Sequence, residues 1–135
     1  MLQFYFLSIV LNSLAGYILV SKDENGGLEF KSGFTLKDET FRFIVGIATA
    51  ITGLLKILSA VEGDVRVIGD LVPAIAGLLA GFILVFEHYR NRLSESEPEH
   101  SEKIDKFLIA NKKIIGMIAI TAAVLHFLFP KVLLL

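Results

Sequence analysis

The chain has 135 residues, 54% hydrophobic and 20% charged, with a formal net charge of −1 and no cysteine. With a mean hydropathy of +0.68, it exceeds the roughly 45–50% apolar content of soluble domains, so part of the surplus is expected to face lipid. The near-neutral charge excludes a broad basic face for nucleic acid, and the missing thiols exclude disulfides, thiolate metal sites and cysteine nucleophiles.

Four apolar stretches, 2–20, 43–61, 71–86 and 114–129, carry one charge between them, Lys56. A bilayer core about 30 Å thick takes about 20 helical residues, and backbone groups in hydrocarbon need partners within their own segment. The expected fold class is therefore all-α, an integral membrane bundle of four transmembrane helices over about 2–20, 43–61, 69–89 and 113–132, in a single membrane domain, 1–135. The first span lacks a basic n-region and a small-residue cleavage site, so it is expected to be a retained helix and not a signal peptide.

The first connection, 21–42, contains Lys22, Lys31, Lys37 and Arg42. The second, 62–68, has Arg66 alone and offers the turn Gly63–Asp64, with Val61, Val65 and Val67 as the apolar side of a small hairpin. The third, 90–112, carries Arg90, Arg92, Lys103, Lys106 and Lys112, with Lys113 following. Positive charge marks the cytoplasmic side. The first and third connections are thus expected in the cytoplasm and the second outside, with both termini outside a cytoplasmic (inner) membrane. The runs TLKDETFRF and SEKIDKFLIANKK are amphipathic at helical spacing, and suit either a helix in the headgroup layer or an extension of the next span into water.

NSLAGYILV (12–20) aligns with GLLAGFILV (77–85), and the second and fourth spans share Ile44/Ile114, Gly46/Gly116, Leu55/Leu125 and Leu58/Leu128. This points to two duplicated helical hairpins related by a pseudo-twofold along the membrane normal, against the alternative of chance matching between apolar segments. In the same register Lys56 corresponds to His126.

Every span has a face of small residues: Ser8, Asn12 and Gly16; Gly46 and Ala50; Gly77 and Gly81; Ala119 and Ala123. Small residues let backbones approach where lipid gives helices no hydrophobic reason to associate, and internal packing is the expected use ahead of a homodimer seam. Asn12, near the middle of the first span, is read as interhelical glue ahead of a ligand contact. Thr49, Thr52 and Thr121 can bond back to their own helices. Lys56 invites the plain reading of a stem snorkelling to the interface. The sharper reading is a polar outer site formed by Lys56, His126 and Asp70, suited to an anion, a quinone headgroup or a proton. Glu87, His88 and His100 lack metal-ligand spacing, no nucleophile, nucleotide or metalloprotease motif occurs, and neither a metal site nor a cofactor is expected.

Arg42, Gly46, Gly53 and Lys56 form an R-x3-G-x6-G-x2-K pattern that resembles the first-helix pattern of DoxX-type membrane proteins. That resemblance implies a four-helix architecture and work as a subunit. Here, however, the pattern falls in the second span, with only two more to follow. The expected function is a non-enzymatic subunit or self-assembling component of a membrane complex, its partners being lipid and a second copy or another membrane protein. Two other readings stay open: a small-solute or ion transporter or channel built from the repeats, and a DoxX-like subunit of a quinone-linked redox complex.

Overall fold

A computed structural model of the chain describes residues 2–21, 38–60, 67–93 and 102–129. They form four helices, α1 (Leu2–Val20), α2 (Glu39–Ala60), α3 (Val67–Leu93) and α4 (Glu102–Leu128). Each is long and apolar enough to cross a membrane.

The helices outrun the apolar windows where local chemistry lets them. Instead of beginning at 43, α2 starts at Glu39, because the Asp38 carboxylate accepts the Thr40 N–H at 3.1 Å as an N-cap. In place of 69–89, α3 covers 67–93, so Val67, Ile68 and Gly69 are helical and the outer loop drawn over 62–68 overlaps the first two residues of α3; residues 61–66, with most of the expected hairpin, lie outside the described residues. The largest correction is α4, which begins at Glu102 and not 113. The charged, amphipathic EKIDKFLIAN is a continuous extension of the span, since hydropathy marks where a helix is apolar and not where its hydrogen bonds begin. Its other end falls at Leu128, with Phe129 N–H closing the last turn on the Leu125 carbonyl at 2.9 Å. Pro130 follows, and the residue before a proline is pushed out of helical geometry.

The two most extensive packings are α2 on α3 and α1 on α4. In cross-section the bundle is a rhombus: α1 also touches α2 and α3, and α3 touches α4, whereas among the described residues no Cα of α2 comes within 8 Å of one of α4. Two glycine crossings set this shape. A Cβ on Gly16 would sit 2.6 Å from the Gly116 carbonyl oxygen, and one on Gly81 would sit 2.6 Å from the Gly46 carbonyl oxygen and from Ala50 N. Around them the core is small or slender, with Ala15, Ile18 and Leu19 from α1, Ala80, Ile83 and Leu84 from α3, Ala119 and Ala122 from α4. Large side chains point outward instead, among them Ile44, Ile51, Leu54 and Leu58 on α2 and Ile114, Met117, Ile118 and Phe127 on α4.

The crossing geometry gives a direct test. Gly81→Ala should destabilise the bundle by about 1–3 kcal/mol, because the obstacle is backbone that cannot step aside, while Ile47→Ala on the outer face of α2 should stay within about 0.5 kcal/mol. Thermal or denaturant unfolding of the two variants in one detergent measures both.

Candidate functional site

At the end of the bundle where α1 begins and α2 and α4 finish, three side chains meet. Lys56, one turn before the end of α2, is 7% exposed, and His126, in the last turn of α4, is 3% exposed. Lys56 Nζ lies 3.0 Å from His126 Nε2. Tyr5, in the first turn of α1, lies against both of them. Its hydroxyl donates to the His126 carbonyl oxygen at 2.5 Å, satisfying one of the orphan carbonyls at the α4 terminus. The Tyr5 ring lies against the imidazole with centroids 4.6 Å apart and planes inclined by 51°. The Lys56 ammonium stands 5.8 Å from the centre of the same ring, within cation–π range.

The long lysine stem therefore turns inward across the open α2–α4 diagonal, where the plain reading had it snorkel outward. An ammonium has only hydrogens to give, so it bonds an imidazole nitrogen only if that nitrogen carries a lone pair. With Lys56 charged, Nε2 is the acceptor and the ring proton sits on Nδ1. A buried charge is costly unless hydrogen-bonded, and here the imidazole lone pair and the tyrosine π-face both serve it. Asp70 belongs to the opening turns of α3 at the same end, and its side chain lies outside the described residues.

Asn12 is 2% exposed and bonds α1 to α3, with Nδ2 donating to the Pro73 carbonyl oxygen at 2.8 Å. Its Oδ1 occupies the place where a side chain on Gly77 would begin. Gly77 thus makes room for an amide, whereas Gly81 serves a backbone crossing. An interhelical polar contact of this kind typically contributes about 0.6–1.7 kcal/mol. Gly46, Ala50 and Gly81 pack together at the α2–α3 crossing, and Ala119 and Ala123 are fully buried on α4. Thr49, Thr52 and Thr121 donate to the carbonyls of Val45, Ala48 and Met117, each four residues back.

A second polar cluster closes the opposite end. Glu87 of α3 accepts from Arg42 Nη2 at 2.7 Å and from Lys112 Nζ at 3.1 Å, joining α2, α3 and α4 through one carboxylate. Beside it His88 stacks on Phe43 with centroids 4.3 Å apart, and Asn91 Nδ2 donates to Glu39 Oε1 at 3.1 Å. These side chains retain some solvent contact, so the ion pairs are screened and modest in strength. Arg42, Gly46, Gly53 and Lys56 all lie on the inward face of α2: Arg42 meets Glu87, Gly46 meets Gly81, Gly53 lies against Ala74 and Leu78, and Lys56 meets His126.

Sequence reasoning brought Lys56 and His126 forward through the repeat register but passed over Tyr5. The signal was present: Tyr5, Ser8, Asn12 and Gly16 fall on one helical face. The Glu87 cluster was missed because Arg42 and Lys112 were counted as loop charges, although both are helical.

Comparison with known proteins adds relatives without adding chemistry. A protein-family model carrying no functional description matches residues 1–126. An uncharacterised protein of Treponema pallidum (strain Nichols) is 32% identical over 135 residues, covering 100% of both chains. No solved structure matches. The chain belongs to this uncharacterised family, its match to the Treponema pallidum protein running through all four helices.

Proposed function

We propose that the protein is an integral component of a cytoplasmic membrane, with both termini outside, and that it works as a non-enzymatic subunit or self-assembling element of a membrane complex. Support for insertion comes from the distribution of side chains. Small and polar groups share the interior with a few aliphatic side chains, while most of the large isoleucines, leucines and phenylalanines cover the outside, an outer surface that a water-soluble helix bundle does not present. The lysines and arginines of 21–42 and 90–112, against Arg66 alone in 62–68, support the orientation.

The observation that carries the assembly reading is the exposure of α4. Only 22% of its apolar span is covered by the rest of the chain, against 44% for α3. Its outer face continues into an apolar groove of about 390 Å³, lined by Val72 of α3 and by Ile114, Met117, Ile118, Thr121, Ala122 and Leu125 of α4. A partner helix is the occupant proposed for that face. Because the chain has no cysteine, single-cysteine variants report the interface cleanly. Met117→Cys should form a disulfide-linked dimer or a cross-link to another membrane protein in native membranes, and Ile51→Cys, exposed on α2, should not. Monomers from both variants would contradict the reading.

A second reading, transport of a small solute or ion between two repeated hairpins, is favoured by how matched positions meet. Gly46 meets Gly81 much as its counterpart Gly116 meets Gly16, the counterpart of Gly81. Asn12 meets its own counterpart at Gly77, and Lys56 meets its own counterpart at His126. Matched positions touch one another only beside a twofold axis, so these two contacts would lie on the axis of a duplicated fold. On this reading Lys56 and His126 face the translocated species. Proteoliposomes carrying the wild-type chain should show a saturable ion or solute flux that Lys56→Met abolishes, and equal leak from both preparations would rule this reading out.

A further inference from the structure

We propose that the outer face of α4 is covered by α4 of a second copy of this chain, the two helices lying parallel and in register along a seam that runs from Phe107 to Leu128. The proposal rests on the assembly reading above and names its partner.

Phe107, Ala110, Ile114, Met117, Thr121 and Val124, all exposed, recur at alternating steps of three and four residues, the spacing that keeps a narrow stripe of one helix against another as the two supercoil. A helix lying against lipid shows the same spacing, so the deciding feature is where the stripe ends. Lys112 bonds Glu87 at the charged end of the bundle, and Lys113 beside it is exposed. At 1.5 Å per residue Phe107 stands about 9 Å beyond Lys113, past the level at which charged groups already surround the helices, and it is nevertheless 68% exposed. Acyl chains do not cover a ring at that height. At the same end α3 exposes Tyr89, Arg90, Asn91 and Arg92, which headgroups and water solvate, and the exposed large side chains of α2 begin at Ile44, on the membrane side of Arg42. A stripe that is apolar both within the bilayer and above it calls for a partner helix with the same profile.

A second α4 has that profile. Copies inserted with the same orientation present their α4 helices parallel, so each level of the stripe meets itself. Phe107 then meets Phe107 outside the hydrocarbon, and the small Ala110 and Thr121 let the backbones approach between the bulkier levels. Charge agrees with this register. Lys106 and Lys113 flank the stripe, and in a parallel pair they fall beside the second copy's Asn111 and Ile118, so that no lysine faces a lysine. Asn111 is uncharged and donates to the Phe107 carbonyl of its own helix at 2.8 Å. Lys103, next in the same spacing, is charged and ends the seam. On the α3 side, the groove between Val72 and α4 receives side chains flanking the second copy's stripe.

Purified full-length protein in liposomes has a second copy as its one available partner. Ala110→Cys and Val124→Cys, about 21 Å apart along α4, should each form a disulfide-linked dimer on mild oxidation, while Ile51→Cys on α2 stays monomeric. Two cross-links at that separation require a parallel, in-register pair, because helices that cross bring like positions together at one level only. Energy transfer between copies of the wild-type chain labelled at the N-terminus, followed on dilution into lipid, measures the dimer itself. Phe107→Lys, which sets two ammonium groups opposite each other, should raise the dissociation constant about tenfold or more, and Leu54→Ala on α2 should leave it unchanged. A wild-type chain that shows only chance energy transfer at every protein-to-lipid ratio overturns the proposal, whatever the variants do. Failure of either seam cysteine to cross-link, or a Phe107→Lys dimer as tight as wild type, overturns it as well. If Met117→Cys in native membranes links only to a different protein, this proposal falls and the assembly reading stands; if it links to nothing, both fall.

Discussion

The close approach of two pairs of backbones, Gly16 to Gly116 and Gly46 to Gly81, is the constraint from which the rest of the bundle follows. Where a Cβ would stand 2.6 Å from a carbonyl oxygen, only glycine fits, and α1 is drawn onto α4 and α2 onto α3. Two tight pairs packed side by side make a rhombus with one long diagonal. The α2–α4 gap is a consequence of those crossings, and it makes room for a lysine, an imidazole and a tyrosine ring that a more closely packed square of helices would exclude.

Each end of the bundle is tied by a different kind of polar chemistry. At one end a single carboxylate, Glu87, collects two cations from α2 and α4. At the other, Lys56 of α2 and His126 of α4 meet directly. Between the ends, Asn12 holds α1 to α3 through the Pro73 carbonyl. Proline contributes no N–H to the helix ladder, and its own carbonyl here gains a bond from outside the helix. Within the apolar spans the outer surface of all four helices is aliphatic and aromatic, so polar contacts there are concentrated inside and contact with surroundings is left to apolar side chains. That division of labour suits the proposed life in a bilayer, where buried polar contacts position helices that lipid itself does not drive together.

Much of this was legible in the chain. Helix number and type follow from the apolar windows, and the small-residue faces at Gly16, Gly46 and Gly81 announced where backbones would approach. The repeat register singles out Lys56 and His126, because spacing carries information about which faces correspond. Helix ends were less legible: Glu39 and Glu102 lie in charged sequence, and capping by Asp38 and amphipathic continuation decide them in place of hydropathy. Tyr5 and Glu87 were missed for a related reason. Their roles depend on partners far away in sequence, and neither residue departs from what a membrane boundary ordinarily contains.

The central claim is that Lys56 and His126 are energetically joined inside the bundle and are not two basic residues that happen to end neighbouring helices. A double-mutant cycle combining Lys56→Met and His126→Leu, read by unfolding in one detergent at neutral pH, tests it most directly. The account predicts a coupling free energy of about 0.5–3 kcal/mol, the double variant losing less stability than the two single variants combined. Additive losses, within the usual scatter for independent sites, would contradict it.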